Sequence, residues 1–315
     1  MLVASARDSI ARGSRSFALA STVFDRRTRE RVWLLYAWAR AADDIVDGQD
    51  HGHTMHRPAD ARAALDRIRA LTARAMSGEA TGVTAFDALG LVAAECGIPA
   101  RLAHDVIDGF ALDAGGWRPH TEDDLYRYCY HVAGAIGVMM AMVMGVSPSA
   151  RDTLDRACDL GIAFQLGNIA RDVREDAEAG RCYLPGDWLT EAGIPADALL
   201  APEYRPALAT LAGRLASRAA AYEASARIGA ARLPYRSAWA VLAAAGIYGG
   251  IARGVARLGA RAWDRRFTTS GAAKLGWVAR AAGVAALPAA AAARPGTLWT
   301  RPRTTERLSP GDASG

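Results

Sequence analysis

Apolar side chains return at three- and four-residue steps along nearly the whole chain. The runs are RERVWLLYAWARAADDI, ARAALDRIRALTARAM, AFDALGLVAAECG, ARLAHDVIDGFALDA, LYRYCYHVAGAIGVMMAMVMG, ARDTLDRACDLGIAFQLGNIARDVRED, ALATLAGRLASRAAAYEASARI and SAWAVLAAAGIYGGIARGVARLG. That period gathers them on one face of an α-helix. Period-two runs rich in Val, Ile and Thr, the mark of half-buried strands, are missing. The expected fold is all-α. Gly and Pro interrupt the helical pattern at CGIP, GGWRP, GVSP, AGRCYLPGDW, AGIP and RLPYRS. Several of the helices between these breaks are apolar nearly all round, as the inner helices of a large bundle are.

A chain of 315 residues, 51% of them hydrophobic, can bury one large core. No Pro/Gly/Ser-rich linker or block of like charge divides it before residue 295, so residues 1–295 read as a single domain. Residues 296–315, rich in Pro, Thr, Arg and Gly without periodicity, read as a flexible tail, Trp299 and Arg301 included. The four cysteines, Cys96, Cys129, Cys158 and Cys182, are widely spaced and signal neither a disulfide framework nor a zinc site, which suits a reducing cytoplasm. The N-terminal MLVASARDSIARGSRSF lacks the apolar core of a signal peptide. No uninterrupted apolar run reaches the roughly 20 residues of a spanning helix, so the expectation is a protein not integral to a membrane.

The net charge is +5, and Lys274 is the only lysine among the basic residues. Arginine grips phosphate oxygens in pairs, which suits nucleic acid, anionic lipid or a phosphorylated substrate. A compositional bias toward Ala, Arg and Gly gives the same surplus, so the charge decides little by itself. The basic residues are dispersed instead of gathered on one stripe, which argues against nucleic acid as a partner.

Residues 132–146 carry no charge but are too few to span a bilayer. Their small residues Ala133, Gly134, Ala135 and Gly137 allow close approach to a neighbouring helix or line an apolar cavity. The methionines between them read mostly as core filling.

Two acidic constellations stand apart from this apolar frame. In RAADDIVDGQD, Asp43 and Asp47 lie four apart on one helical face with Asp44 turned aside, and like charges at that spacing destabilise a helix. Compensation must come from arginines such as Arg40 or from bound metal ions. In FQLGNIARDVRED, Gln165, Asn168, Asp172 and Asp176 follow at steps of three, four and four, on one stripe. Arg171, off that stripe, is placed to pair with Asp172 or to reach a phosphate. Hard oxygen donors of this kind suit Mg²⁺ or Mn²⁺, which take one or two carboxylates and complete their shell with water and phosphate oxygens. A lone DxxxD is more often a solvated face. Two such stripes in one apolar helical chain point to a site that clamps a diphosphate.

The ordered segments GSRSFALAS (13–21), LYAWARAADDIVD (35–47), YCYHVAGAIGVMMA (128–141), LDRACDLGIAFQLGNIARDVREDAEAGRCYLP (154–185), LPYRSAWA (233–240) and AWDRRFTTSGAAKL (262–275) resemble the squalene and phytoene synthase family, and its phytoene branch most closely. The resemblance covers most of the chain. It implies the head-to-head prenyl synthase fold, one all-α domain around a central cavity. It implies Asp43, Asp47, Asp172 and Asp176 as catalytic metal ligands, with Asn168 as a further ligand. Ser14, Arg15 and Ser16 match the family's phosphate-contacting N-terminal segment. Arg40, Arg171, Tyr248 and Arg266 fall where diphosphate partners lie, with Arg265 adjoining as an alternative to Arg266. Tyr36, Tyr128 and Gln165 fall at the reaction centre.

The implied substrate is geranylgeranyl diphosphate and the implied product phytoene, by way of prephytoene diphosphate, with Mg²⁺ or Mn²⁺ and without NADPH. Squalene or dehydrosqualene synthesis from farnesyl diphosphate is the alternative. A catalytically silent scaffold is a further one, set against by retention of all four aspartates. Phe17, Tyr36, Phe164 and Tyr248 are candidates to face the cationic intermediates, with core packing the preferred reading of Phe164. Gly167 departs from the family pattern, where Thr is common, and is expected to widen the cavity or loosen its helix. Expected partners are the inner membrane surface, touched peripherally from the cytoplasm, and a downstream carotenoid desaturase.

Overall fold

The computed structural model describes residues 2–47, 61–288 and 292–302, with the side chains of Arg15 and Asp47 outside the described set. Among the described residues every regular element is helical. In chain order these are α1 (Leu2–Gly13), α2 (Arg15–Ser21), α3 (Arg26–Asp47), α4 (Ala61–Met76), α5 (Thr84–Cys96), α6 (Ala100–Ala114) and α7 (Glu122–Cys129). A π-helical turn (Tyr130–Gly134) follows, then α8 (Ala135–Val143), α9 (Arg151–Glu178), α10 (Gly186–Glu191), a 3₁₀ turn (Pro202–Tyr204), α11 (Arg205–Ala230), α12 (Tyr235–Leu258), a second 3₁₀ turn (Gly259–Arg261) and α13 (Gly271–Ala285).

The breaks expected from Gly and Pro fall at helix ends. Pro99, Pro185 and Pro234 each occupy the N-cap position of the following helix, where extended backbone suits the ring and no helical N–H is lost. Thr121 and Asp124 form a capping box at the start of α7.

Helix α9 is the axis of the molecule. It packs against α11, α12, α8 and the π turn, while α3, α5 and α6 close the opposite side. The approach of α8 and the π turn to α9 explains the small residues in that stretch. A Cβ on Gly137 would strike the Ala157 carbonyl, and one on Gly161 would strike the Ala133 carbonyl, so backbone meets backbone there. Met139 and Met142 are core residues, whereas Met140 and Met144 reach the cavity wall.

The stretch Tyr235–Arg261 is long and apolar enough to cross a bilayer by length and composition, but 67% of its apolar 18-residue window is buried inside the protein, as befits a core helix. The cysteines are all free thiols.

The boundary at residue 295 needs correction. Leu298 and Arg301 are buried, and the Trp299 backbone N–H donates to Tyr222 Oη at 3.1 Å. Residues 296–302 therefore belong to the packed domain, because this segment supplies partners for acidic groups inside the bundle. Residues 303–315 lie outside the described residues.

Candidate active site

A cavity of about 510 Å³ runs between α3, α6, the π turn, α8, α9 and α12. Helix α9 gives it one continuous wall: Asn168, Gln165, Gly161, Ala157 and Thr153 recur at steps of three and four, over about 22 Å at 1.5 Å per residue. The walls are mostly apolar, and the polar groups gather at the Asn168 end.

Three helices end at that mouth with carboxylates in their last two turns and no basic residue in the final turn: α3 with Asp43 and Asp44, α6 with Asp113, α9 with Asp172 and Asp176. Each helix C-terminus already carries partial negative charge, so this placement is unfavourable unless cations compensate. Arginines do so in part. Arg40 lies 3.0 Å from Asp43 Oδ2 and donates to Asp44 Oδ1 at 2.6 and 2.9 Å. Arg171 donates to both oxygens of Asp172, from Nε at 2.7 Å, and Arg266 donates to the same two oxygens at 2.8 and 3.0 Å. Burial works against the Asp172 carboxylate, but hydrogen bonds from Arg171 and Arg266 hold its pKa below the ordinary value. Asp176 is the converse: burial and the nearby charges of Asp172 and Asp113 push its pKa up to about 7.

Aromatic groups line the interior side of this rim. Phe17 stacks on Tyr36 with ring centroids 5.6 Å apart, and Phe164 on Tyr248 at 4.4 Å. Tyr128 lies between Trp117 (5.6 Å) and Tyr183 (4.8 Å). Its hydroxyl donates to Asp113 at 3.0 Å, as does that of Tyr183 at 2.7 Å. Ser14 caps α2 by accepting from the Phe17 N–H at 3.2 Å, and its hydroxyl lies 3.2 Å from Tyr248 Oη. Burial raises the pKa of Tyr128 and Tyr248 and pushes Tyr36 up to about 12, so all three stay neutral phenols near pH 7.

Most residues singled out in the sequence meet here. Ser14, Tyr36, Arg40, Asp43, Tyr128, Gln165, Asn168 and Tyr248 line the cavity, and Arg171, Asp172, Asp176 and Arg266 form its charged rim. Between the adjoining arginines, Arg266 is the one that reaches Asp172. Ser16 sits half-buried in the first turn of α2. Asp47 closes α3 and Arg15 opens α2, but their side chains lie outside the described residues.

Two readings change. Phe164 lines the cavity in addition to packing, because its ring stacks on Tyr248. Gly167 faces α12, with its Cβ direction 3.6 Å from Ala252 Cβ, so it does not widen the cavity. Asp113 and Tyr183 went unnoticed in the sequence. The available signal for Asp113 was a lone carboxylate in the last turn of a helix, where the helix dipole opposes it.

Among the described residues no three acidic, His or Cys groups draw together into a ready metal cage. The donor set is nonetheless one of hard oxygens, and the pKa of Asp176 is raised by burial first and by the charges of Asp172 and Asp113 second, both of which a bound cation would offset. That fits divalent ions shared between a few carboxylates and the oxygens of a bound diphosphate.

An all-helical domain with a deep apolar cavity, opening on an acid-and-arginine rim, defines the class of isoprenoid synthases. The chain belongs to the squalene/phytoene synthase family, whose model matches residues 10–273. It is 45% identical over 301 residues to a phytoene synthase of Pseudescherichia vulneris, covering 94% of this chain and 97% of that one. It is 46% identical over 308 residues to a 15-cis-phytoene synthase of a Paracoccus species, covering 96% and 98%. A solved dehydrosqualene synthase in complex with ligand superposes with a TM-score of 0.79 at 26% identity, over 90% of this chain and 95% of that one. The family and fold are those of prenyl diphosphate synthases, which generally use divalent metals.

Proposed function

We infer that the chain condenses two molecules of geranylgeranyl diphosphate head to head, giving phytoene and two diphosphates. The observation that carries this is the apolar cavity running along α9 and ending at two acidic helix termini, each paired with its own arginines. The identity to phytoene synthases over nearly the full chain favours this substrate over farnesyl diphosphate.

Loss of the first diphosphate leaves an allylic cation, which the double bond of the second substrate attacks; loss of a proton closes a cyclopropane. The second diphosphate then departs, the cyclopropylcarbinyl cation rearranges, and a second proton is lost to form the central double bond. Mg²⁺ or Mn²⁺, held by Asp43, Asp47, Asn168, Asp172 and Asp176, would neutralise charge developing on the leaving diphosphate. Arg40, Arg171 and Arg266 present guanidinium groups to the same oxygens. The stacked pairs Phe17–Tyr36 and Phe164–Tyr248 exclude water and turn polarisable faces toward the cations. Because the tyrosines at the site remain phenols, the departing diphosphate is the better proton acceptor.

The test is incubation of the purified protein with geranylgeranyl diphosphate and Mg²⁺, with and without NADPH, followed by mass analysis of the extracted hydrocarbon. A forty-carbon product formed equally without NADPH is expected. Consumption of farnesyl diphosphate alone would transfer the reading to squalene or dehydrosqualene synthesis, and inertness toward both would favour a silent scaffold.

The enzyme works from the cytoplasm at an anionic membrane surface, where its lipid substrate and product dissolve and a carotenoid desaturase receives the product. Support comes from α13, which buries only Ala281 and exposes Leu275 (63%), with Leu287 (63%) exposed just past its end. No acidic residue occurs between Asp264 and Glu306, while Lys274 and Arg280 lie on this helix. Flotation with anionic liposomes should carry the protein upward and Leu275→Glu should leave it behind; flotation indifferent to that change would overturn this surface.

A further inference from the structure

The end of the cavity remote from the carboxylates holds an arginine that the reaction does not explain. Arg156 is 1% exposed and lines the cavity together with Thr153, Gly229 and Ala230. Each nitrogen of its guanidinium is engaged away from substrate: Nε donates to Asp152 at 2.9 Å, Nη1 to the Ser225 carbonyl at 3.2 Å, and Nη2 to the Ala292 carbonyl at 2.6 Å. Gly229 makes room for its stem, since a Cβ there would lie 2.7 Å from Arg156 Cβ.

The carbonyl of Ala292 belongs to residues 292–302, which lie as a strap across the amino-terminal half of α9. Arg294 pairs with Asp159 through hydrogen bonds of 2.8 and 2.7 Å, and Arg301 lies 2.8 Å from Asp155. Asp159 and Asp155 are 0% and 4% exposed. Ser225, which accepts from Arg156, donates to Asp159 at 2.6 Å, so strap, α9 and α11 form one buried network. Hydrogen bonds to two backbone carbonyls and a carboxylate hold the Arg156 side chain in one place.

We propose that Arg156, fixed by the C-terminal strap, is the end wall of the substrate cavity and sets the longest prenyl chain the enzyme accepts. This rests on the prenyl diphosphate reading above. The wall is made by the aliphatic stem, while the charged head is consumed by carbonyls and carboxylates, so the hydrocarbon meets only methylenes. Arg156 is a specificity-determining residue and takes no part in bond making.

The experiment compares turnover of the full-length protein on farnesyl, geranylgeranyl and geranylfarnesyl diphosphates, chains that differ by one five-carbon unit each. Arg156→Ala is expected to raise the ratio of kcat/KM for geranylfarnesyl over geranylgeranyl diphosphate by at least about tenfold. Thr153→Phe, which adds volume at the same wall, is expected to shift preference the other way, toward farnesyl diphosphate. General loss of packing lowers all three rates together and leaves these ratios unchanged. Should Arg156→Ala fail to fold, Thr153→Phe decides alone. A folded variant of either kind with wild-type ratios would overturn the end-wall assignment while the wild-type activity kept the functional reading intact. A wild-type protein inert on all three substrates would overturn both.

Discussion

Helix α9 carries two pairs of aspartates at the same four-residue spacing, Asp155 with Asp159 and Asp172 with Asp176, and the protein puts them to opposite uses. The first pair is sealed in the bundle, each carboxylate held by an arginine of the C-terminal strap. The second stands at the cavity mouth, where Asp172 shares two arginines that also border open space and Asp176 is repelled by its neighbours. Spacing on a helix therefore says that two carboxylates share a face but not what answers them. The answer comes from the elements packed opposite: a strap of backbone carbonyls and arginines at one end, two further acidic helix termini at the other. Fixed partners make a wall; exchangeable partners make a site.

That contrast can be broken from either end. The largest effect expected is on activity at the mouth: Asp172→Ala should lower turnover at least about a thousandfold by removing a group that acts on charge developing in the transition state. Its thermal melting should remain cooperative, and hydrocarbon formation with a melting curve checks both. At the sealed end the effect moves to stability. Asp159→Ala strands the Arg294 guanidinium in the interior and should cost about 3–5 kcal/mol by urea unfolding, with the specific activity of folded molecules retained. An unchanged midpoint would show that the strap is not holding the bundle.

Smaller effects sharpen the comparison. Arg266→Ala should raise KM for the prenyl diphosphate about tenfold, one charge-assisted contact. It should barely alter stability, since the Arg266 side chain is 52% exposed. The lowered pKa of Asp172 adds a pH signature: its ion pairs contribute fully above the ordinary carboxyl value of 3.8 and are lost as pH falls through the folded pKa. Wild type should therefore lose more stability than Arg266→Ala on acidification below pH 4, read from unfolding midpoints. Least of all, Tyr248→Phe removes the contact with Ser14 and should cost about 1 kcal/mol in stability.

Much of this was legible in the sequence, for physical reasons that differ by residue. The period of the apolar residues gave the long helices, because burial of one face is what makes a helix persist in water. The stripes through Asp43 and Asp172 were visible because covalent spacing alone places their members on one face. Asp113 was not visible: no second carboxylate stands three or four residues from it in the sequence, and its place depends on α6 ending beside Tyr128 and Tyr183. The strap is hidden from the sequence for a related reason. Its composition is that of a disordered tail, yet Arg294 and Arg301 answer Asp159 and Asp155, more than a hundred positions earlier. Composition reports what a segment can bury by itself, and this segment is held by what others have already buried.

The central claim is that the acidic ends of α3 and α9 act together on one diphosphate. The most direct measurement is Mn²⁺ uptake, followed by electron paramagnetic resonance, in the presence of an unreactive geranylgeranyl thiodiphosphate. The wild-type protein should bind the ion tightly only with the analogue present, and Asp43→Asn and Asp172→Asn should each abolish that uptake. Wild-type uptake in either variant would contradict the claim, because one helix end would then hold the metal and diphosphate without the other.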